Sequence, residues 1–452
     1  MKYLLTIIVF LSGCSVNGDM LVASNDSRLV VEQIAKQHPR LWISSQRLSF
    51  LRKSYNEKVD PVYTALCKMI ATAESDLQAP VEPYAGNRAD LWRISANNDS
   101  KAAVCLAIAY HVTGKDKYKK KAIEFILARP DNFPLPFANV DENITHSFSD
   151  RGLFIVCGTS GLILAYDLLA SEPDFSKKDN DTVKRWLHEL AKLIKEDMKR
   201  WDTPYKSVGT NVSPTGWIET ENPKDRYFGS QNYQNHVGEH LMGLLEIGYV
   251  LGDRELVQYC LDSEDNPRDL KEMIDGAVHV AGDTDYVKFD LERVIQIGKK
   301  KGKDISVTNW HTMPPQTGEI YDRYRTVEGS GLGYSQHGFR MLLLCAELAY
   351  QNNVDFYKYT GADGESLLLP FKFYQDFVLT GSNAVNGGYY IWSKMSSDFA
   401  EVYELGLLHY PEERDIFLSV LKREGYNRGD VSLYPVHRPN LSWLIAWGKN
   451  EL

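Results

Sequence analysis

The 452-residue sequence predicts an all-α fold of helical hairpins packed as a toroid or barrel. From about Ser45 onward the apolar residues recur with a period near 3.6, and strand-like alternation is scarce. A tyrosine also recurs close to a turn at the end of an apolar helix, at Tyr110, Tyr166, Tyr249 and Tyr350. Each hairpin has an apolar face that it must bury against another hairpin, which favours a helical toroid or barrel.

The predicted helices have recognisable ends and two long interruptions. Gly114 and Gly252 follow two of the tyrosines, where a helix C-terminus favours a residue that tolerates positive φ. Residues 203–231 and 282–333 are irregular, with a few short strands expected around 286–297. Long loops inside a compact domain are usually lids or binding loops, so we expect functional residues beside them.

The N-terminus has the pattern of an export signal. Lys2 precedes a short apolar run that ends at Leu11 and is too short to span a bilayer as a helix. Leu11-Ser12-Gly13-Cys14 resembles a bacterial lipobox, which implies cleavage before Cys14 and lipidation of its thiol. We therefore expect a lipid-anchored protein outside the cytoplasm, at an outer membrane or cell surface. The predicted parts are a lipoprotein signal peptide (1–13), an anchor and linker (14–35) and one helical domain (36–452).

The composition excludes several classes of protein. The chain has 51 Lys and Arg against 60 Asp and Glu, a net charge of −9, so a broad basic surface for nucleic acid is not expected. Its six cysteines form no C-x-x-C motif, which excludes a zinc ribbon or a thioredoxin-type site. Apart from Cys14, we expect them to be buried free thiols. The 26 Tyr and 9 Trp are suited to stacking on sugar rings as well as to packing.

The first group of chemical residues is Asn235-His236-Val237-Gly238-Glu239-His240, near the start of a predicted helix that runs to Val250. It matches the H-x-x-E-H pattern of inverted zinc metallopeptidases. His236 and His240 would then be zinc ligands one helical turn apart, with Glu239 as the base. A third carboxylate ligand on a downstream helix is not obvious, and the alternative is that His240 simply packs within the helix.

The second group is Tyr324-Arg325-Thr326, followed by a glycine-rich stretch and Tyr334. The glycines do not follow a buried strand, so a phosphate-cradling loop is disfavoured. They allow close backbone approach before a helix that is predicted to begin near Tyr334. Tyr334 and His337 are three residues apart and would share one face of that helix.

Together with His38-Pro39-Arg40-Leu41-Trp42, these residues resemble the alginate-lyase superfamily of helical polysaccharide lyases. The opening is similar to the His-Pro-Arg-Leu start common in that group, and Asn235-His236 resembles its adjacent Asn-His pair. Arg325-Thr326 followed by Tyr334 resembles its Arg…His-Tyr segment, although Gly333 stands where a His often does. Arg325 lies nine residues before Tyr334, a little further than usual, so Arg323 stays open as its substitute. The resemblance covers about residues 36–445 and implies an incomplete (α/α) toroid with a long cleft.

The resemblance implies a catalytic domain that cleaves a linear uronan, above all mannuronate-rich alginate, by metal-independent β-elimination. Removal of the C5 proton beside a carboxylate requires neutralisation of that carboxylate, for which Asn235 and Arg325 are the candidates. Tyr334 would take the proton and pass it to the leaving O4, so one residue can be both base and acid. His236 would position Tyr334 or be the base itself. No cofactor is required, and we expect a monomer.

The remaining candidates are less specific. Residues that could bind the carboxylates and sugar faces of the anionic polysaccharide are Trp92, Arg93, Arg151, Asn211, Trp217, His337 and Arg438. Three other functions stay open: a glucuronan lyase of the same mechanism, a zinc metallopeptidase built on the H-x-x-E-H pattern, and a non-catalytic glycan-binding lipoprotein.

Overall fold

The computed structural model describes residues 20–86, 88–130, 151–201, 233–282, 315–323, 331–380, 399–428 and 442–450. It confirms the predicted all-α fold. The helices are α1 (Ser45–Glu57), α2 (Val62–Asp76), α3 (Ala89–Thr113), α4 (Asp116–Ala128), α5 (Arg151–Leu169), α6 (Lys177–Trp201), α7 (Asn235–Leu251), α8 (Arg254–Leu261), α9 (Leu270–Ala277), α10 (Gly331–Gln351), α11 (Leu368–Thr380), α12 (Tyr403–His409), α13 (Arg414–Leu421) and α14 (Trp443–Trp447). Short 3-10 turns precede α12 (Phe399–Val402) and α13 (Pro411–Glu413), and β1 (Leu21–Val22) pairs in parallel with β2 (Val354–Asp355).

Helices α3, α5, α7 and α10 form the inner layer and run parallel to one another. Between α5 and α7, Gly152 lies against His240, and Ser160 donates a hydrogen bond to Glu246 further along both helices. Residue numbers rise together along the two helices, as they do in the α3–α5 and α7–α10 pairs. A Cβ on Gly161 would lie 2.7 Å from the backbone oxygen of Ser100 on α3, so glycine permits this close approach.

Outer helices return the chain between the inner ones. In the α5–α6 hairpin, the Tyr166 hydroxyl donates to Asn180 Oδ1 at 2.8 Å near the turn. At the open end, Gly152 N donates to Asp197 Oδ2 at 2.8 Å, so α6 is antiparallel to α5. Since every inner helix runs in the same direction, their N-termini all lie at one end of the ring.

The His38–Trp42 segment stabilises the opposite end, where the inner helices finish. Asp167 on α5 accepts a hydrogen bond from Arg40 N at 2.8 Å and lies 2.6 Å from Nδ1 of His38. The Arg40 guanidinium donates to the backbone oxygen of Val250 at 2.9 Å in the last turn of α7. A cation is favourable beside these carbonyl groups because of the helix dipole. This segment therefore has a structural role far from the helix N-termini.

Residues 20–35 pack on the helical domain, which corrects the predicted linker. Ala23, Leu29 and Val31 are buried in the hydrophobic core. Leu29 N donates to Asp262 Oδ2 at 2.6 Å, and β1 pairs with β2 after α10. The predicted domain boundary at residue 36 is therefore wrong for the part of this segment that the structure describes. Residues 1–19, with the predicted signal peptide and Cys14, lie outside the described ranges.

Most predicted helix ends are confirmed. α7 begins at Asn235, and Gly114 and Gly252 have φ of +71° and +70° after α3 and α7. The start of α10 was wrong: it begins at Gly331, so its first turn includes glycines assigned to a loop. The predicted free thiols are confirmed, with four of the five buried and Cys67 half-buried. α5 is long and apolar enough to cross a membrane, but 89% of its apolar window is buried inside the protein, which is typical of a core helix.

Candidate functional site

The candidate site lies where the N-termini of α5, α7 and α10 meet. Asn235 and His236 are the first residues of α7, and Tyr334 is in the first turn of α10. The N-terminus of a helix is equivalent to about half a positive charge. Several parallel inner helices therefore direct positive potential at this end, although the chain as a whole is acidic.

Asn235 is held by its backbone and has a free acceptor in its side chain. Its N–H donates to Oδ2 of Asp322 at 2.7 Å, and Asp322 is completely buried. No hydrogen-bond donor within the described ranges reaches the buried Oδ1 of Asn235, whose residue is 3% exposed. His236, the next residue, is half-buried. Most buried side-chain oxygens in proteins have a hydrogen-bond partner, so this acceptor is one that a bound donor could use.

The packing of α7 on α10 locates Tyr334 relative to Asn235. A Cβ on Gly338 would lie 3.9 Å from Cβ of Asn235, so these residues are at the same level of the parallel helices. Tyr334 is four residues before Gly338 on the same face. It therefore stands about 6 Å further toward the N-terminal end of the inner helices than Asn235. Tyr334 is itself half-buried, while residues 335–349, which follow it on α10, are buried.

A buried pair lies one turn below these residues. His337 Nε2 is 2.6 Å from Oε1 of Glu239, and the two residues are 4% and 3% exposed. Oε2 of Glu239 is 3.5 Å from the sulfur of Cys157 on α5. His337 shares the predicted face with Tyr334, but it contacts α7 rather than open space. Its position is suited to supporting the site from below rather than to binding a sugar.

The H-x-x-E-H pattern does not form a metal site. Nδ1 of His240 is bonded to the backbone oxygen of His236, and its Nε2 is 3.1 Å from Asp197 on α6. Glu239 points to a different neighbour, His337. In the part of the chain that the structure describes, no group of three or more His, Cys, Asp or Glu could hold a metal ion. The metallopeptidase interpretation of these residues is therefore wrong in its geometry.

Two arginines were left open as the neutralising cation. Arg323 is 2% exposed, and its Nε lies 2.8 Å from Oε1 of Glu319, one turn earlier. The charge of Arg323 is therefore neutralised by a buried carboxylate of the protein itself. Arg325 lies outside the described residues, so it stays a prediction.

The predicted sugar-binding residues have separate locations. Trp92 is 1% exposed in the contact between α3 and α5, which gives it a packing role and leaves no ring face for a sugar. The Arg93 guanidinium lies 5.2 Å from the ring centre of Phe154. Arg151 begins α5 as predicted, but it is 5% exposed and contacts Glu196 at 3.3 Å. The others, Asn211, Trp217 and Arg438, lie outside the described residues.

The structure adds two residues that the sequence did not reveal, Asp322 and Asp197. Asp322 supports the first residue of α7, and Asp197 joins α6 to the start of α5 and to His240. Asp322 lies within Tyr321-Asp322-Arg323, directly before the predicted Arg325 segment, so its proximity to that segment was a usable signal. No feature of the sequence distinguished Asp197, because it is one of many charged residues in an amphipathic helix.

Comparison with solved structures finds the same architecture in two alginate lyases. The chain is similar to an alginate lyase from Bacteroides ovatus, with a TM-score of 0.52 and 14% sequence identity over 91% of this chain and 99% of that chain. It is also similar to alginate lyase A1-III from Sphingomonas species A1, with a TM-score of 0.51 and 13% identity over 85% of this chain and 91% of that one. No protein-family model matches the sequence, and no curated protein matches it. From this likeness and from its parallel inner helices, the chain has the (α/α) toroid fold of the alginate lyases.

Proposed function

We propose that this protein is a polysaccharide lyase that cleaves a linear uronan, with mannuronate-rich alginate as the first candidate substrate. The observation that carries the proposal is the placement of Asn235, His236 and Tyr334 together at the N-terminal end of the inner helices. The fold, shared with two alginate lyases, supports the same reaction class. Glucuronan is the alternative substrate, because its elimination needs the same groups.

The first chemical requirement is to stabilise the substrate carboxylate as the C5 proton leaves. Loss of that proton puts a second negative charge beside the carboxylate, and preorganised donors stabilise such charge best. The Asn235 amide can supply N–H donors, and its backbone is fixed by the bond to Asp322. The positive ends of the inner helices add to this effect. Arg325, in the segment just before α10, is the proposed cation.

The second requirement is a group that moves the proton. The Tyr334 hydroxyl is the candidate because the residue is half-buried and stands above the level of Asn235. In a mannuronate or glucuronate unit, the C5 proton and O4 lie on the same side of the ring. One phenol can then take the proton as phenolate and return it to O4, which needs fewer independently placed groups than two residues would. His236 positions Tyr334 or takes the proton where the geometry is anti, as in guluronate.

The location of the enzyme follows from the predicted lipobox and is part of the proposal. A thioether-linked lipid at Cys14 would hold the domain on a bacterial membrane outside the cytoplasm, where extracellular polysaccharide is available. Labelling the protein with a radioactive fatty acid in a bacterial host tests this, with Cys14→Ala as the control that should lose the label.

Tyr334→Phe tests the catalytic assignment. The variant keeps the ring but removes the only hydroxyl proposed to move both protons, so turnover on polymannuronate should fall by about 10³-fold. The reaction is followed by the ultraviolet absorbance of the unsaturated product. Tyr350→Phe is the matched control, because Tyr350 lies on the same helix about 24 Å away, where its ring packs on Tyr357 and His409. Near-normal turnover of Tyr334→Phe would transfer the proton-moving role to His236.

A further inference from the structure

A buried contact joins His240 to Asp197 directly beneath the candidate site. His240 lies one turn after His236 on α7, and its Nδ1 is bonded to the backbone oxygen of His236. Its Nε2 lies 3.1 Å from Oδ2 of Asp197 on α6, and neither side chain has exposed surface. The pair therefore links the first turn of α7, which carries His236, to the outer helix α6.

The partners on both sides of the His240 ring are acceptors. A carbonyl oxygen and a carboxylate oxygen have no proton to donate, whereas a neutral imidazole has one N–H and one lone pair. A neutral ring would therefore turn a nitrogen lone pair toward an oxygen lone pair. Both contacts are hydrogen bonds only when the pair of side chains holds one proton more than a neutral histidine and a carboxylate.

Oδ2 of Asp197 has a second donor besides the ring of His240. Oδ2 of Asp197 also accepts a hydrogen bond from Gly152 N at 2.8 Å, in the first turn of α5. Hydrogen bonds from N–H groups and the positive end of a helix both stabilise a carboxylate over its acid. Among the residues that the structure describes, the other charged groups nearby are Arg151 and Glu196, which contact each other at 3.3 Å, and Glu239, which is bonded to His337. The additional proton therefore belongs on the ring.

We infer that His240 is a buried imidazolium that pairs with the Asp197 carboxylate and positions His236. Space for the ring comes from α5, because a Cβ on Gly152 would overlap the imidazole. The bond from Nδ1 fixes the peptide group of His236, and with it the direction in which that side chain leaves the helix. The positioning role rests on the proposed lyase function, whereas the protonation of His240 does not.

Protonation can be measured without substrate. Two-bond ¹H–¹⁵N spectra of protein labelled with ¹⁵N-histidine separate imidazolium from neutral rings, and the His240→Gln spectrum identifies the signal of His240 among the 11 histidines. At pH 7 we expect both ring nitrogens of His240 to carry protons. In Asp197→Asn, which removes the counter-charge, the ring should become neutral. An unprotonated His240 nitrogen in the wild-type protein would overturn the inference.

Positioning is tested by kinetics against a matched control. His240→Gln should lower kcat on the best uronan by about 100-fold with little change in KM, the effect expected for a misplacement of about 1 Å. The control is His409→Gln, which breaks another buried histidine–carboxylate pair, Nε2 of His409 to Oε2 of Glu347 at 2.8 Å. That pair lies about 20 Å along α10 from Tyr334. Equal effects of the two variants on kcat would overturn the positioning role. If the wild-type protein cleaves no uronan, the proposed function fails, and the spectra alone decide the protonation of His240.

Discussion

Glu246 should make the stability of this protein fall as the pH rises. It is completely buried between α5 and α7, and its carboxyl group is bonded to the hydroxyl of Ser160. Burial raises the pKa of Glu246 from 4.5 to about 8, while the Ser160 hydroxyl opposes part of that rise. Between these two pH values the folded protein holds a proton that the unfolded chain has lost. The contribution of Glu246 to the free energy of unfolding is therefore fully present below pH 4.5 and is lost as the pH rises toward 8.

The magnitude follows from the size of the pKa shift. One proton held only by the folded state changes the free energy of unfolding by about 1.4 kcal/mol per pH unit. Over the interval from pH 4.5 to 8 the loss amounts to about 5 kcal/mol, which is a large part of the stability of a typical domain. Glu246→Gln removes the titrating group, so the free energy of unfolding of this variant should not fall with pH in this way.

Urea unfolding at several pH values from 5 to 8 measures the effect as the difference between Glu246→Gln and the wild type. At pH 5 the two proteins should be similar, and by pH 8 the variant should be more stable by several kcal/mol relative to that starting difference. Ser160→Ala is the matched control, because removal of the hydroxyl raises the pKa of Glu246 further and extends the sloping range to higher pH. A difference between Glu246→Gln and wild type that is constant across the pH range would refute the reasoning.

Two further substitutions test the site. Gly338→Ala places a Cβ 3.1 Å from Oδ2 of Asp322, so it should disturb the start of α7 and lower kcat about 10-fold. The control Gly161→Ala crowds Ser100 between α3 and α5, so it should lower the free energy of unfolding and leave kcat unchanged. Equal kcat in the two variants would contradict the supporting role of Asp322. Arg325→Ala should reduce turnover by about 10²- to 10³-fold, because it removes the proposed neutralising charge. Arg323→Ala breaks an ion pair with Glu319 and should mainly lower the melting temperature. A larger loss of turnover in Arg323→Ala than in Arg325→Ala would assign the neutralising role to Arg323.

The features that could be predicted from the sequence are those that depend on neighbouring residues. The period of apolar residues predicted the helices, and the glycines at 114 and 252 predicted two of their ends. Asn235 and His236 are adjacent, and both were predicted to begin a helix, as they do. The resemblance to helical polysaccharide lyases predicted the toroid, which the parallel inner helices confirm.

The features that could not be predicted join residues far apart in the sequence. Asp322 and Asn235 are 87 positions apart, and Asp197 and His240 are 43 apart. The H-x-x-E-H pattern was misleading for a related reason. Successive residues on a helix point about 100° apart, so Glu239 faces α10 while His240 faces α6.

An aromatic side chain shows the same limit of local sequence patterns. Trp92 was expected to bind sugar, but it is buried in the contact between α3 and α5. The same large apolar ring is suited to a hydrophobic core and to a sugar face, and only its position in the fold distinguishes the two uses. Residues 20–35 were likewise assigned to a linker, because the contacts that bury them are made with α8 and the strand after α10.

The most direct test of the central claim is the initial rate of formation of unsaturated uronate ends on three purified polymers. Polymannuronate, polyguluronate and glucuronan are incubated separately with the protein, and ultraviolet absorbance is followed with Tyr334→Phe as the inactive control. The account predicts rapid cleavage of polymannuronate, slow cleavage of polyguluronate, and glucuronan as the alternative good substrate, because one phenol can reach both reacting positions only in syn elimination. A folded wild-type protein that forms no unsaturated product from any of the three polymers would contradict the account.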